Sequence, residues 1–338
     1  MRAIVQSRYG GPEVLTLAEF DRPVPTADEV LVRVHAAAVN ASDWHVLRGD
    51  PYIARLMAPA VFGRRGPKRP VRGRDFAGEV EAVGSAVEGL RVGDEVFGDL
   101  GLAEGAFAEY AAVPASRVAR KPKNLTFEQA AAVPLSASTA LLGLRDLAKV
   151  HAGQSVLING ASGGVGTFAV QMAKALGAEV TGVCSPRNAA QLQALGADHV
   201  IDYTRDDFTR AGMRYDVLFD LVGNRRLRDL RRVVKRGGTI LLSGGGSSKG
   251  GSVFGPIGRL IAAQASARFV PQRLVPMTGE PAIAEHLAVL RELIEAGRVL
   301  PAIDRTYPLE QAPDAIRYLE TEHARAKVVL TVAEAPAG

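Results

Sequence analysis

The chain has 338 residues, with 41 Lys plus Arg against 36 Asp plus Glu, 36 Gly, one Trp and one Cys. At roughly 100–200 residues per domain, that length suggests about two domains, each able to close its own core. An apolar fraction of 47% and a charged fraction of 23% exclude disorder and collagen, the net charge of +5 does not by itself call for nucleic acid, and the lone Cys184 excludes an intrachain disulfide, a cysteine-based structural zinc and an iron–sulfur cluster.

The first third reads as β. Arg2–Gln6 is a short strand followed by a turn at Gly10, Gly11 and Pro12. Residues 29–34 (EVLVRV) alternate strictly, as a half-buried strand does, and 78–83 and 95–97 are further strands set apart by Gly84, Gly89 and Gly93. Many short strands with Gly/Pro turns suggest a barrel or sandwich. The pattern changes near residue 124. Thr126 with Gln129 three residues on is a capping box that opens a helix. From Ser155 strands and helices alternate: strands at 155–159, 179–184, 199–202, 215–222 and 239–243, helices at 167–176 and 189–195. This is the βαβ rhythm of a parallel, doubly wound sheet. Residues 245–258 hold six glycines and read as a loop. An amphipathic helix follows at 284–296, and 327–332 is a closing strand.

No stretch approaches the ~20 apolar residues of a membrane span. The opening MRAIVQSRYGGPEVL lacks the apolar core of a signal peptide, so a reducing cytoplasm is the expected home. Basic residues cluster at Arg64, Arg65, Lys68, Arg69, Arg72 and Arg74, and again across residues 225–236. These are a solvated loop and helix face, or an attraction for an anionic ligand.

The chemistry-bearing stretch is SVLINGASGGVGTFAVQMAKALGAEVTGVCSPRN. An apolar strand runs into Gly160, Ala161, Ser162, Gly163, Gly164, Val165 and Gly166, and a helix follows directly. Gly163 lets the backbone approach a pyrophosphate, Gly166 lets the helix pack closely on the strand, and the helix N-terminus offers free N–H groups to the phosphates. Ala161 stands where the first glycine of the dinucleotide fingerprint usually falls. The second strand ends at Val183-Cys184-Ser185 without the acid that holds an unphosphorylated ribose. Ser185 and Arg187 point instead to a 2′-phosphate, hence to NADP(H), the alternative being that Arg187 only decorates the next helix. Gly223 and the pair Ser243-Gly244 end later strands at the carboxyl edge, where ligands of α/β sheets bind.

The run Gly153-Gln154 through Leu157, Ala161-Ser162-Gly163-Gly164, Gly166, Gln171 and Lys174 resembles the signature of the quinone oxidoreductases related to ζ-crystallin, the zinc-independent branch of the medium-chain dehydrogenase/reductases. The segments YGGPEVLTLAEFDRPVP, VRGRDFAGEVEAVG and AAVPLSASTALLGL look like the same family's GroES-like domain and crossing helix. The resemblance implies an α/β protein: a GroES-like β-rich catalytic domain at 1–122, a Rossmann doubly wound parallel-sheet NADP(H) domain at 123–270, and a return to the catalytic domain at 271–338. It implies no metal. Zinc-dependent relatives carry Cys at the Asn40 position, Gly-His-Glu where this chain has Gly73-Arg74-Asp75, and a third ligand near Leu135. Asn40 then faces the active site with Asp43 orienting it, Tyr52 is the proton donor (or a packing tyrosine), Thr139 lies near the nicotinamide or phosphates, Tyr203 near the adenosine, and Lys327 matches a common family lysine although Ala326 replaces the usual glycine before it.

Without a metal, a quinone or an α,β-unsaturated carbonyl suits hydride transfer from NADPH, because the protein need only orient the acceptor and donate hydrogen bonds to the developing enolate. Reduction of enoyl thioesters is the alternative within the family, and an NADPH-sensing or nucleic-acid-binding protein the alternative outside it. A homodimer is the expected assembly.

Overall fold

The structure is a computed structural model and describes residues 1–58, 61–63, 66–243, 253–277, 283–322 and 324–332. In chain order, β1 (Arg2–Gln6), β2 (Leu15–Glu19) and β3 (Glu29–Val39) lead to α1 (Ala41–Arg48) and α2 (Tyr52–Met57). The strands β4 (Asp75–Val83), β5 (Glu95–Asp99), β6 (Tyr110–Pro114) and β7 (Val118–Arg120) follow, then α3 (Phe127–Ala131) and α4 (Pro134–Leu141). Next come β8 (Ser155–Asn159), α5 (Gly164–Ala175), β9 (Glu179–Cys184), α6 (Ala189–Ala194), β10 (His199–Asp202), β11 (Tyr215–Asp220), α7 (Leu227–Leu230) and β12 (Val234–Leu242). The chain closes with α8 (Gly255–Ser266), β13 (Arg273–Pro276), α9 (Ile283–Glu295), β14 (Ile303–Pro308), α10 (Ala312–Thr321) and β15 (Lys327–Thr331).

Six of these strands form one parallel sheet in the order β10-β9-β8-β11-β12-β13. Numbered by appearance within the sheet, this is 3-2-1-4-5-6, the Rossmann arrangement, whose chain reverses direction between β8 and β11. Both faces are covered. Val156 and Ile158 of β8 pack into one core cluster and Leu157 into another, and Val217 and Phe219 of β11 are likewise split from Leu218. A strand buried on both sides must be apolar throughout, which is why these strands read as unbroken runs rather than alternations.

Besides the two-stranded pair β1-β2, a further sheet has seven strands in the order β14-β15-β3-β4-β5-β7, with β6 also paired to β3. Here β15 lies between β14 and β3, so the last strand sits within a sheet otherwise built mostly from the first third of the chain. The alternation of residues 29–34 covers only half of β3. The strand continues through Ala36–Ala38, all fully buried, and bulges twice against β4. An alanine run has low strand propensity by itself, and neighbours on both faces override it. Of the segment 245–258, read as loop, residues 245–252 lie outside the described residues, and the last four, from Gly255, open α8 instead.

Candidate active site

The cleft lies at the carboxyl ends of β8 and β11, the switch point of the parallel sheet. It has two adjoining chambers of about 540 and 500 Å³, which share Ala41, Gly164, Val165, Leu221, Val222, Leu319 and Ala326.

The first chamber is a backbone construction. Gly160 turns the chain at φ +86°, and a Cβ on Gly166 would lie 2.2 Å from the Gly160 carbonyl oxygen, so the helix can sit this close only on glycine. A Cβ on Gly163 would meet nothing nearer than 3.5 Å, which leaves that face of the loop open to a ligand. No side chain caps the N-terminus of α5, so its first-turn N–H groups and positive dipole end are available to an anion. The Ala161 methyl lies 3.1 Å from the place where a Cβ on Gly182 of β9 would stand, so it is accommodated against a glycine. Ser162 is tied from two sides: its hydroxyl accepts from Asn188 Nδ2 at 2.9 Å, and its carbonyl accepts from the Ala326 N–H at 2.8 Å. Asn159 Nδ2 donates to Asp220 Oδ1 at 2.7 Å and closes the switch point from below.

The second chamber has a side-chain floor. Lys327 Nζ, 2% exposed as a residue, donates to Asn40 Oδ1 at 2.5 Å, to Ser136 Oγ at 3.3 Å and to Asp75 Oδ2 at 3.4 Å. Asn40 Nδ2 donates to Asp75 Oδ2 at 3.0 Å and to the Ala38 carbonyl at 3.3 Å, and the Leu135 N–H donates to Asp75 Oδ1 at 3.1 Å. The Asn40 position, where the resemblance puts a zinc-ligating Cys in the metal-dependent relatives, therefore binds an ammonium here. Burial pushes the Asp75 carboxyl up, and the Lys327 charge opposes that push. Arg74 turns away and pairs with Asp99 at 2.8 Å. Behind Asn40, its backbone N–H donates to Asp43 Oδ2 at 2.7 Å. Burial, with the nearby Glu104 charge, pushes the Asp43 carboxyl up to about 7.

Of the expected site residues, Ser162, Gly163, Gly164, Val165, Gly166, Ser185 and Tyr203 line the first chamber, and Asn40, Thr139, Ser243 and Lys327 the second. Several others do not stand in the cleft. Asp43 is buried in the first turn of α1 and holds the Asn40 backbone N–H rather than the Asn40 side chain. Gly223 makes a turn at φ +74° and donates to Asp220 Oδ1, because the strand ends two residues earlier than read. The Arg187 guanidinium donates to the Glu322 carbonyl at 2.8 Å. Tyr52 opens α2, is 47% exposed and lies under the Arg55 guanidinium, outside both chambers. Gly244, with Arg64 and Arg65, lies outside the described residues.

Asp75, Ser136, Asn159 and Asn188 were missed. A charge inside the apolar strand RDFAG is a signal that Asp75 needs a buried partner; Ser136 has no such signal, because its partner is 191 residues away. His45 lines the second chamber, stacked on Trp44. Burial lowers its pKa, and with Nδ1 donating to the Asp50 carbonyl its Nε2 is an acceptor. Ala326 holds φ +77°, a conformation that favours glycine and costs another residue about 1–3 kcal/mol.

Among the described residues of the basic clusters, Arg72 pairs with Glu104, Arg74 with Asp99, Arg225 with Asp207, Arg232 with Asp229 and Lys235 with Asp216. Cys184 is buried and its thiol is pushed up to about 11, which suits packing rather than nucleophilic chemistry. Among the described residues there is no helix long and apolar enough to cross a membrane, and no group of three or more His, Cys, Asp or Glu that could hold a metal ion.

Two family profiles match the chain: "Alcohol dehydrogenase GroES-like domain" over residues 26–123 and "Zinc-binding dehydrogenase" over 195–330. The 2-methylene-furan-3-one reductase of Solanum lycopersicum is 36% identical over 98% of this chain and 79% of its own length. The chloroplastic NADPH-dependent alkenal/one oxidoreductase of Arabidopsis thaliana is 35% identical over the same shares. Among solved structures, the quinone oxidoreductase from Coxiella burnetii superposes with a TM-score of 0.85 at 31% identity, over 98% of this chain and 99% of that one.

Proposed function

The chain belongs to the quinone oxidoreductase group of the medium-chain dehydrogenase/reductase family, and from that premise we propose that it is an NADPH-dependent reductase of quinones and α,β-unsaturated carbonyls that works without zinc. The observation that carries this reading is the joined cleft: a glycine-loop chamber suited to a dinucleotide opens directly onto a chamber whose floor is an ammonium locked among amide, carboxyl and hydroxyl groups.

The open face of Gly163 and the uncapped N-terminus of α5 fit a pyrophosphate. Ser185 and Tyr203 lie where the adenosine half would run, and Arg187 stands two residues on, within reach of a 2′-phosphate if it releases Glu322. Bound NADPH supplies the hydride. Leu135, Val222, Trp44 and Leu319 give the second chamber apolar walls that position an electron-poor acceptor and exclude water.

Zinc does not fit this floor. An amide, the pair Arg74-Asp75 in place of His-Glu, and a leucine stand at the ligand positions, and the Lys327 ammonium bound to Asn40 and Asp75 would repel a dication. Polarisation of the acceptor falls to hydrogen-bond donors instead. A reducing cytoplasm and a homodimer belong to the same proposal; size-exclusion chromatography tests the second.

The experiment is NADPH oxidation against a panel of quinones, enones and crotonyl thioesters, with metal content measured in parallel. Turnover of the first two classes by protein lacking zinc is expected. Stoichiometric zinc, loss of activity to a chelator, or turnover confined to thioesters would overturn the reading.

A further inference from the structure

We propose that the Ser136 hydroxyl is the hydrogen-bond donor to the acceptor oxygen, polarised by the Lys327 ammonium behind it. The inference deepens the reductase reading above and rests on it.

Reduction of an enone or quinone leaves negative charge on the acceptor oxygen, and a donor aimed at that charge stabilises the transition state more than the ground state. The second chamber's polar groups can be sorted by what they already bind. An ammonium has three N–H groups, and those of Lys327 go to Asn40, Asp75 and Ser136. Asn40 Nδ2 is committed to Asp75 and Ala38, and the Thr139 hydroxyl donates to the Leu135 carbonyl at 2.7 Å. Three hydroxyls along the chamber wall give no hydrogen bond among the described residues: Ser42, Ser136 and Ser243.

Ser136 differs from the other two in what stands behind it. Its oxygen accepts from the ammonium, so its own proton points elsewhere, and a hydroxyl that accepts from a cation is a stronger donor. Its Oγ is also 3.3 Å from where a Cβ on Gly164 would stand, which puts the hydroxyl where the two chambers meet. The ammonium is fixed by Asp75, with Asp43 and the Arg74–Asp99 pair as the surrounding charges, so the donor is preorganised before any ligand enters.

The test uses Ser136→Ala and Ser136→Thr in the full chain, with NADPH affinity measured by fluorescence titration and thermal stability as controls. Ser136→Ala is expected to lower kcat for enones by about 10²-fold and to leave NADPH affinity unchanged. The loss with quinones is expected to be smaller, because the aromatic product anion delocalises its own charge. Ser136→Thr should recover most of the enone rate. A separate readout is 4-nitrophenol, a non-reducible oxyanion probe, titrated with the oxidised cofactor present. The wild type should bind it as phenolate at a pH below that of the free phenol, and Ser136→Ala should abolish the shift.

An unchanged enone kcat in Ser136→Ala, or equal losses with enones and quinones, would overturn the proposal whether or not the phenol binds. A wild type that reduces neither class yet ionises the phenol through Ser136 would instead sink the reductase reading and keep the donor.

Discussion

The two chambers of the cleft rest on different physics. The glycine-loop chamber binds with backbone: its donors are main-chain N–H groups, its shape depends on the absence of Cβ atoms, and little in it titrates. The floor of the second chamber is built mainly of side chains, with Asp43, Asp75 and Lys327 buried within or just behind it and Arg72, Arg74 and Glu104 buried further back. A backbone site tolerates changes of side-chain chemistry and fails on added volume. A buried polar network tolerates little change of charge, because each member left alone pays the desolvation of an unpaired group.

Substitutions in each chamber test that contrast. The largest effect is expected from Lys327→Met, which leaves Asp75 buried without its cation. It should lower stability by about 3–5 kcal/mol in chemical denaturation, and adding Asp75→Asn in the same chain should restore much of the loss. Full stability in the single variant would mean that the floor is not an electrostatic unit.

Gly166→Val comes next. Its Cβ would collide with backbone at 2.2 Å, so the loop must move, and NADPH affinity should fall about tenfold to a hundredfold in calorimetry while kcat at saturating cofactor changes less.

Asp43→Asn should act through pH. The folded-state value of about 7 lies above the ordinary carboxylate range, so the folded protein holds this proton more tightly than the unfolded chain does. The resulting stability is fully present below about pH 4 and is lost as pH rises through 7. The variant should be more stable than the wild type near pH 8, on the order of 1–2 kcal/mol, and the difference should vanish towards pH 4. A melting series from pH 4 to 8 in which both proteins keep the same slope would refute the assignment.

Arg187→Ala should weaken NADPH by about tenfold and leave NADH unchanged, as expected for one lost phosphate fork. Equal effects on both cofactors would leave the guanidinium a structural tie to Glu322. The smallest change is expected for Tyr52→Phe, less than about twofold in kcat/KM, because the phenol lies outside both chambers. A large loss would bring Tyr52 back as a proton donor and favour thioester chemistry.

The first chamber was readable along the chain because it is local. Strand, glycine loop and helix follow one another from Ser155 to Ala175, and the tightest steric demand, that of Gly166 against the Gly160 carbonyl, lies within the loop itself. The capping box at Thr126 was readable for the same reason, and it is present, with Gln129 N–H donating to the Thr126 hydroxyl at 3.3 Å. Tyr52 was misplaced because the family spacing around it fixes no direction for a side chain, and α2 turns it outward.

The sequence alone determined the parallel sheet, the dinucleotide loop and the departure from the zinc-dependent relatives' residues at Asn40, Arg74 and Leu135, because propensity, glycine sterics and residue type are properties of short segments. Only the tertiary structure decided what stands at those positions instead. Asn40 and Lys327 are 287 residues apart, and they meet because β15 pairs with β3 in the sheet beside the cleft. A contact that spans most of the chain leaves no periodicity to read. The pull of a buried charge towards its partner acts only once folding has removed the water between them.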